Sequence, residues 1–327
     1  MDRETLFDCT GLVVVITGGG TGLGLCMARS LAINGATVYI LGRRLSKLEE
    51  AVGSCSSIQP PGEVIPLECD VTSKPSLEAA ASKIGEKTGF VNLVIANAGV
   101  PGPSNRALLP RPADDPRGPL AIQEVQQHLW ETSIDDFTEV FKINVTGALY
   151  TAVAFLDLLD KGNVRRNVKQ SSQVIITSSI GGFHRSWTQA SLAYTTSKAA
   201  VNHLVKSLAS FLVQWKIRVN GLAPGLFTSE MMQAVFGKDR DLTAEGALPV
   251  EMQPLRRAGR DEEMAGTILY LASQAGAYCS ALYDTKSLEW ATLPPHPSAA
   301  RRFLKVRLGH MCICNRDSRV SGCSVSL

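Results

Sequence analysis

The chain has 327 residues, 45% hydrophobic and 19% charged, with a formal net charge of +3; this is an ordinary globular composition able to bury one core, and no nucleic-acid-binding motif occurs in it. No apolar run approaches the roughly 18 residues a membrane-spanning helix needs, and Met1-Asp2-Arg3-Glu4-Thr5 lacks the basic and then apolar regions of a signal peptide, so the expected location is cytoplasmic, with no membrane partner. Eight cysteines (9, 26, 55, 69, 279, 312, 314 and 323) form no disulfide framework, which suits a reducing compartment.

In chain order, short apolar β-rich runs alternate with helical patterns. Strands are predicted over residues 12–17, 37–41, 64–67, 91–96, 173–178 and 218–222. Helices are predicted near 23–34, 46–54, 73–87, 134–159 and 194–214. That alternation implies a doubly wound α/β parallel sheet, covered on both faces. Ser133-Ile134-Asp135-Asp136 has capping-box spacing and opens the fourth helix. The connection 100–132 carries prolines at 101, 103, 110, 112, 116 and 119; it is too long for a βα loop and reads as a surface excursion near a ligand edge.

The first strand runs into Thr17-Gly18-Gly19-Gly20-Thr21-Gly22-Leu23-Gly24 and then into a helix. In that context a glycine-rich turn signals dinucleotide binding in a Rossmann-type sheet, because glycine lets backbone approach a pyrophosphate at the helix N-terminus. Gly18, Gly20, Thr21, Gly22, Leu23 and Gly24 are the candidate contacts. The second strand ends in Gly42-Arg43-Arg44, where an NAD-binding chain usually places an acid for the ribose hydroxyl. A 2′-phosphate would gain about 1.5–3 kcal/mol per charge-assisted bond from Arg43 or Arg44, so NADP(H) is favoured; the alternative is a pair of solvated helix-start residues.

Tyr194 lies four residues before Lys198 in Tyr194-Thr195-Thr196-Ser197-Lys198. On a helix the two share a face, and an ammonium beside a phenol favours its ionised form, which would make Tyr194 a proton donor to a carbonyl. The alternative is a surface helix that carries the two by chance.

Together these motifs resemble the short-chain dehydrogenase/reductase family, in its single-domain branch. The match runs from about residue 12 to about 278 and includes Asp70-Val71, Asn97-Ala98-Gly99, Asn144-Val145-Thr146-Gly147, Ser178-Ser179, Val219-Asn220 and Pro224-Gly225. The excursion and Gly182-Phe183-His184-Arg185 further resemble fungal 3-oxoacyl-reductase-like members, many from secondary metabolism. The resemblance implies that Tyr194 is the general acid and that Lys198 lowers its pKa and bonds the nicotinamide ribose. It also implies that Ser179 bonds the substrate oxygen and that Asn144 holds a relay water. Asp70, Val71, Asn97, Gly99, Pro224, Gly225 and Ser229 are implied cofactor residues. Asp70 has an alternative as a turn and cap, Asn97 as a sheet tie, Asn144 as a partner for backbone in a helix bend, and Ser178 stands beside Ser179. The spacing from Ser179 to Tyr194 is about two residues longer than usual in the family.

Residues 1–280 are expected to form the catalytic domain and 281–327 an atypical tail. The family's final strand is not recognisable, so an open edge on the strand at 218–222 is expected, which puts a homo-oligomer in doubt. The tail carries seven Lys or Arg against three Asp or Glu. His310, Cys312, Cys314 and Cys323 lack zinc-module spacing, and no metal is expected. The function expected is NADPH-dependent reduction of a ketone. A cofactor-binding but catalytically impaired member is the alternative. A small carbonyl or alcohol substrate, apolar or aromatic, would be lined by Phe183, Trp187, Phe227, Met231, Met232 and Phe236.

Overall fold

A computed structural model describes residues 2–57, 62–108, 111, 114–183, 191–228, 241–250 and 252–284. Seven parallel strands form its sheet: β1 Val13–Thr17, β2 Thr37–Gly42, β3 Glu63–Glu68, β4 Leu93–Ala96, β5 Gln173–Thr177, β6 Arg218–Leu222 and β7 Tyr283–Asp284, in the spatial order β3-β2-β1-β4-β5-β6-β7. All five residues of β1 are buried. Period-two alternation splits them between two cores, as expected for a strand covered on both faces. Val14 and Ile16 pack with Val38, Ile40 and Met27, whereas Val13 and Val15 pack with Tyr39, Leu41 and Leu77. The first core is closed by α1 Gly22–Ile33 and by α2 Leu45–Gly53, the second by α3 Lys74–Thr88.

The single helix predicted over 134–159 is three pieces: α5 Ile134–Phe141, α6 Ala148–Ala154 and α7 Leu156–Arg165. A π turn, Lys142–Gly147, joins the first two, and Phe155 bends the chain before the third. Apolar periodicity does not reveal one inserted residue, so the π turn was not legible in the pattern. The excursion holds a helix the sequence reading missed, α4 Ile122–Glu131. Its start is marked by Glu124, whose carboxylate reaches back to the Ala121 N–H at 2.8 Å and also binds Arg111. The long helix α8 Leu192–Phe211 follows β5, and α9 Asp261–Ala272 covers the first core through Met264 and Ile268. Among the described residues no single helix is long and apolar enough to cross a membrane; the bent pair 134–154 and 156–165 passes that test only together.

The edge of β6 differs from expectation. Gly221 and Leu222 pair with Tyr283 and Asp284 of β7, the Ala281 N–H donates to Val219 O at 2.8 Å, and the Gly221 N–H donates to Leu282 O at 2.8 Å. The family-type sequence is absent, yet residues 281–284 take the seat of a last strand. Backbone pairing needs no particular side chains, and what fixes it is the buried Arg218 and Asn220. Arg218 donates to Gly276 O and Cys279 O, and Asn220 binds Cys279 O and the Leu282 N–H. The paired chain thus runs on to Asp284; residues 285–327, with the basic residues of the tail, His310 and the last three cysteines, lie outside the described residues.

Candidate active site

Loops leaving β1 and β4 turn to opposite sides of the sheet, which opens a crevice at the carboxyl ends of the strands. Every described candidate residue lies on this edge. The glycine turn joins β1 to α1. Gly18 has φ +66°, and a Cβ on Gly24 would sit 2.1 Å from Gly18 O, so a side chain there has no room. Gly20 packs over Leu48. Thr21 makes no side-chain cap, so its hydroxyl does not occupy the first-turn N–H groups of α1.

Asn97 ties the sheet. Its amide donates to Thr17 O and Gly18 O, and its oxygen accepts from the Thr177 hydroxyl at 3.2 Å, so β1, β4 and β5 meet on one side chain. Thr17, which the sequence reading did not select, holds the same crossing: its hydroxyl accepts from the Asn97 and Ala98 N–H groups. The threonine directly before the glycines was the available signal.

Arg43 and Arg44 are exposed at the exit of β2, with Arg44 at the N-cap of α2. Asp70, after β3, accepts from the Thr72 N–H at 2.9 Å and the Thr72 hydroxyl at 2.8 Å, an Asx turn. Burial opposes its charge, but the Thr72 bonds, with the fields of Arg43 and Lys142, outweigh that and hold its carboxyl below the usual value. Arg43 is thus electrostatically close to Asp70. Val71 lies against Gly147 of the π turn.

The π turn sets Asn144, which is 2% exposed. Its oxygen accepts from the Val100 N–H at 2.8 Å, and its amide donates to Val100 O at 3.1 Å and Ser197 Oγ at 3.0 Å. Ser197, also unselected, donates to Tyr194 O at 2.7 Å. A Cβ on Gly99 would lie 3.1 Å from Asn144 Oδ1 and 3.6 Å from Lys198 Nζ, so the exposed Gly99 leaves the space over the lysine open.

Tyr194 and Lys198 share a face of α8. Lys198 is buried, its ammonium donates to Thr177 O at 2.8 Å, and it stands 5.6 Å from the Tyr194 ring centroid. Burial pushes Lys198 down to about 8. The phenol departs from expectation: burial pushes it up, and a hydrogen bond with Ser179 pulls it back in part. The ammonium is turned to the Thr177 carbonyl, so Lys198 is not what lowers the phenol here.

The two serines at the end of β5 face different ways. The Ser178 hydroxyl is buried and donates to Lys198 O at 3.1 Å and to Asn202. Ser179 Oγ caps the next turn through the Gly181 N–H at 3.1 Å and meets Tyr194. A Cβ on Gly181 would lie 3.4 Å from Ser179 Oγ and 3.6 Å from Tyr194 Cε1, so both hydroxyl-bearing side chains converge over that glycine. Pro224 O, after β6, accepts from the Ile180 N–H at 3.1 Å and fixes this loop against the sheet; Gly225 follows it, half-buried. Ser229 lies outside the described residues, as do Trp187, Met231, Met232 and Phe236. Phe227 is not groove-lining: it is 7% exposed and packs in the core, so close that a Cβ on Gly259 would stand 2.5 Å from its ring. Phe183 is exposed.

A short chain dehydrogenase family model matches residues 12–240. The chain is 44% identical over 275 residues to the short-chain dehydrogenase/reductase PhomF of Diaporthe leptostromiformis, covering 84% of this chain and 89% of that one. It is 42% identical over 301 residues to the short-chain dehydrogenase/reductase VdtF of Byssochlamys spectabilis, covering 86% and 93%. Among solved structures, the Pseudomonas aeruginosa RhlG/NADP active-site complex superposes with a TM-score of 0.70 at 27% identity, over 86% of this chain and 97% of that one.

Proposed function

The chain belongs to the short-chain dehydrogenase family and is an oxidoreductase with a nicotinamide cofactor, and from that premise we propose that it uses NADPH to reduce a ketone to a secondary alcohol. The observation that carries the reading is the convergence of Ser179 Oγ and Tyr194 over Gly181, with Lys198 one helical turn on. The cofactor fits the residues present. The first turn of α1 and the glycine-rich Gly18–Gly24 turn would hold its pyrophosphate, Arg43 and Arg44 its 2′-phosphate, and Lys198, under the open Gly99, its nicotinamide ribose. When bound, NADPH supplies the hydride.

Tyr194 gives its proton to the carbonyl oxygen as the carbon is reduced. Ser179 donates a hydrogen bond to that oxygen and so stabilises the charge that develops on it. Asn144 and Lys198 lie behind Tyr194 as the route by which its proton is replaced. Burial holds the phenol above its ordinary value, so Tyr194 keeps the proton that a general acid must give. The exposed Phe183 favours an apolar or aromatic ketone, and the fungal relatives of similar length favour a secondary-metabolite setting. The alternative of an impaired member rested on a missing strand, and residues 283–284 fill that place.

The test is NADPH consumption with acetophenone and with ethyl 3-oxobutanoate, beside titrations with NADPH and NADH. Wild-type turnover, with Tyr194→Phe losing at least about a hundredfold in kcat while it keeps NADPH affinity, is the expected result. Full turnover in Tyr194→Phe would end the general-acid assignment.

A further inference from the structure

The loop that carries Ser179 is three residues long between residues 178 and 182, and both of those residues bond one side chain outside the motifs. Asn202 lies on α8 at the same face as Tyr194 and Lys198, four residues beyond the lysine, and is 7% exposed. Its oxygen accepts from the Ser178 hydroxyl, directly before Ser179, and its amide donates to Gly182 O at 3.1 Å, at the end of the turn Ile180–Gly182. The contact is close on the other side too: a Cβ on Gly182 would lie 2.7 Å from the Lys198 carbonyl carbon and 2.8 Å from Asn202 Nδ2. Ser178 in addition binds Lys198 O. The loop is therefore laid flat on the helix that carries the phenol.

We propose that Asn202 is a positioning residue of the reaction, clamping residues 178 and 182 to α8 so that the Ser179 hydroxyl stays on the Tyr194 hydroxyl. The inference deepens the proposed function and rests on it. An apolar side chain at 202 fills the space without either bond, which leaves the Ser178 hydroxyl with its bond to Lys198 O on α8 and the turn with the Ile180 N–H bond to Pro224 O on the sheet side. Ser179 then drifts from Tyr194, and a displacement of about 1 Å at a reacting centre costs up to a hundredfold in rate. The bond from Ser179 lowers the phenol, so its loss moves Tyr194 upward, and the alkaline pH at which reduction fails moves upward with it.

The experiment uses the full chain with the same two ketones and compares wild type, Asn202→Leu, Ser178→Ala and Tyr194→Phe. The expected result for Asn202→Leu is a fall in kcat of at least about tenfold, an NADPH Kd within about threefold of wild type, and an alkaline limb moved to higher pH. Ser178→Ala, which leaves the Gly182 hold intact, shows smaller changes of the same sign, a fall in kcat of at least about threefold with NADPH affinity kept, and that smaller fall decides the matter if Asn202→Leu does not fold. A kcat within about twofold of wild type overturns the inference, as does a fall with the limb unmoved or with an equal loss of NADPH affinity. Absence of wild-type turnover, or full activity in Tyr194→Phe, overturns the proposed function itself and the inference with it.

Discussion

Lys198 makes stability rise with pH, opposite to the usual behaviour of a lysine with a partner. Its amine is buried and bound to Thr177 O, with no carboxylate among its described partners, and burial pushes it from 10.5 to about 8. In the unfolded chain the same amine holds its proton to the ordinary value, so between those values the unfolded state binds more protons, and raising the pH favours the folded state. Integrated from pH 7 to pH 9, that difference gives a gain of about 1.3 kcal/mol, and over the whole window about 3 kcal/mol. Cys9 and Cys26, pushed up to about 12 and about 11 by burial, act in the opposite direction above the ordinary thiol value of 9. They act equally in a variant, so the comparison to make is wild type against Lys198→Met by urea unfolding at both pH values. The wild type should gain relative to the variant by about 1.3 kcal/mol. An equal pH response in the two proteins would mean that the buried amine is not the titrating group.

Three further outcomes follow from the site and the sheet. Arg43→Glu should shift the ratio of NADPH to NADH affinity by at least about tenfold, or about 1.4 kcal/mol, toward NADH; paired fluorescence titrations read this, and an unchanged ratio would assign the 2′-phosphate elsewhere. Gly24→Ala places a Cβ 2.1 Å from Gly18 O, an overpacking of backbone on backbone that should cost about 1–3 kcal/mol in urea unfolding along with most NADPH affinity; a variant that binds like wild type would show the turn to be loosely packed. Arg218→Leu removes donors to Gln173, Gly276, Cys279 and Ser171, and the orphaned carbonyls should cost about 3 kcal/mol or more while freeing β7. Hydrogen exchange at the Gly221 N–H measures that release, and wild-type protection would remove Arg218 from its anchoring role.

The sheet was legible because its central strands are buried on both faces and so read as unbroken apolar runs: Val13–Thr17 and Gln173–Thr177 were predicted to within a residue. Where burial is partial the pattern weakens. The excursion helix Ile122–Glu131 has no buried residue, so it carries no core-facing stripe to be read. The strand at 283–284 has two paired residues and is held by Arg218 and Asn220 from the neighbouring strand. Nothing within its own sequence states that it is a strand.

The candidate site shows the same division between what a motif carries and what only packing decides. Spacing brought Tyr194 and Lys198 to one helix face, and that followed from 3.6 residues per turn alone. Whether the ammonium acts on the phenol depends on a third group, the Thr177 carbonyl at 2.8 Å, which comes from a strand 21 residues away. Adjacent serines are equivalent in composition, but successive side chains leaving a strand point to opposite sides. Ser178 turns into α8 and Ser179 toward the phenol. If the clamp at Asn202 is what holds that choice, Ser178→Ala and Asn202→Leu act through one set of bonds. Their effects on kcat should then be less than additive in the double variant, whereas two independent structural losses would add in free energy.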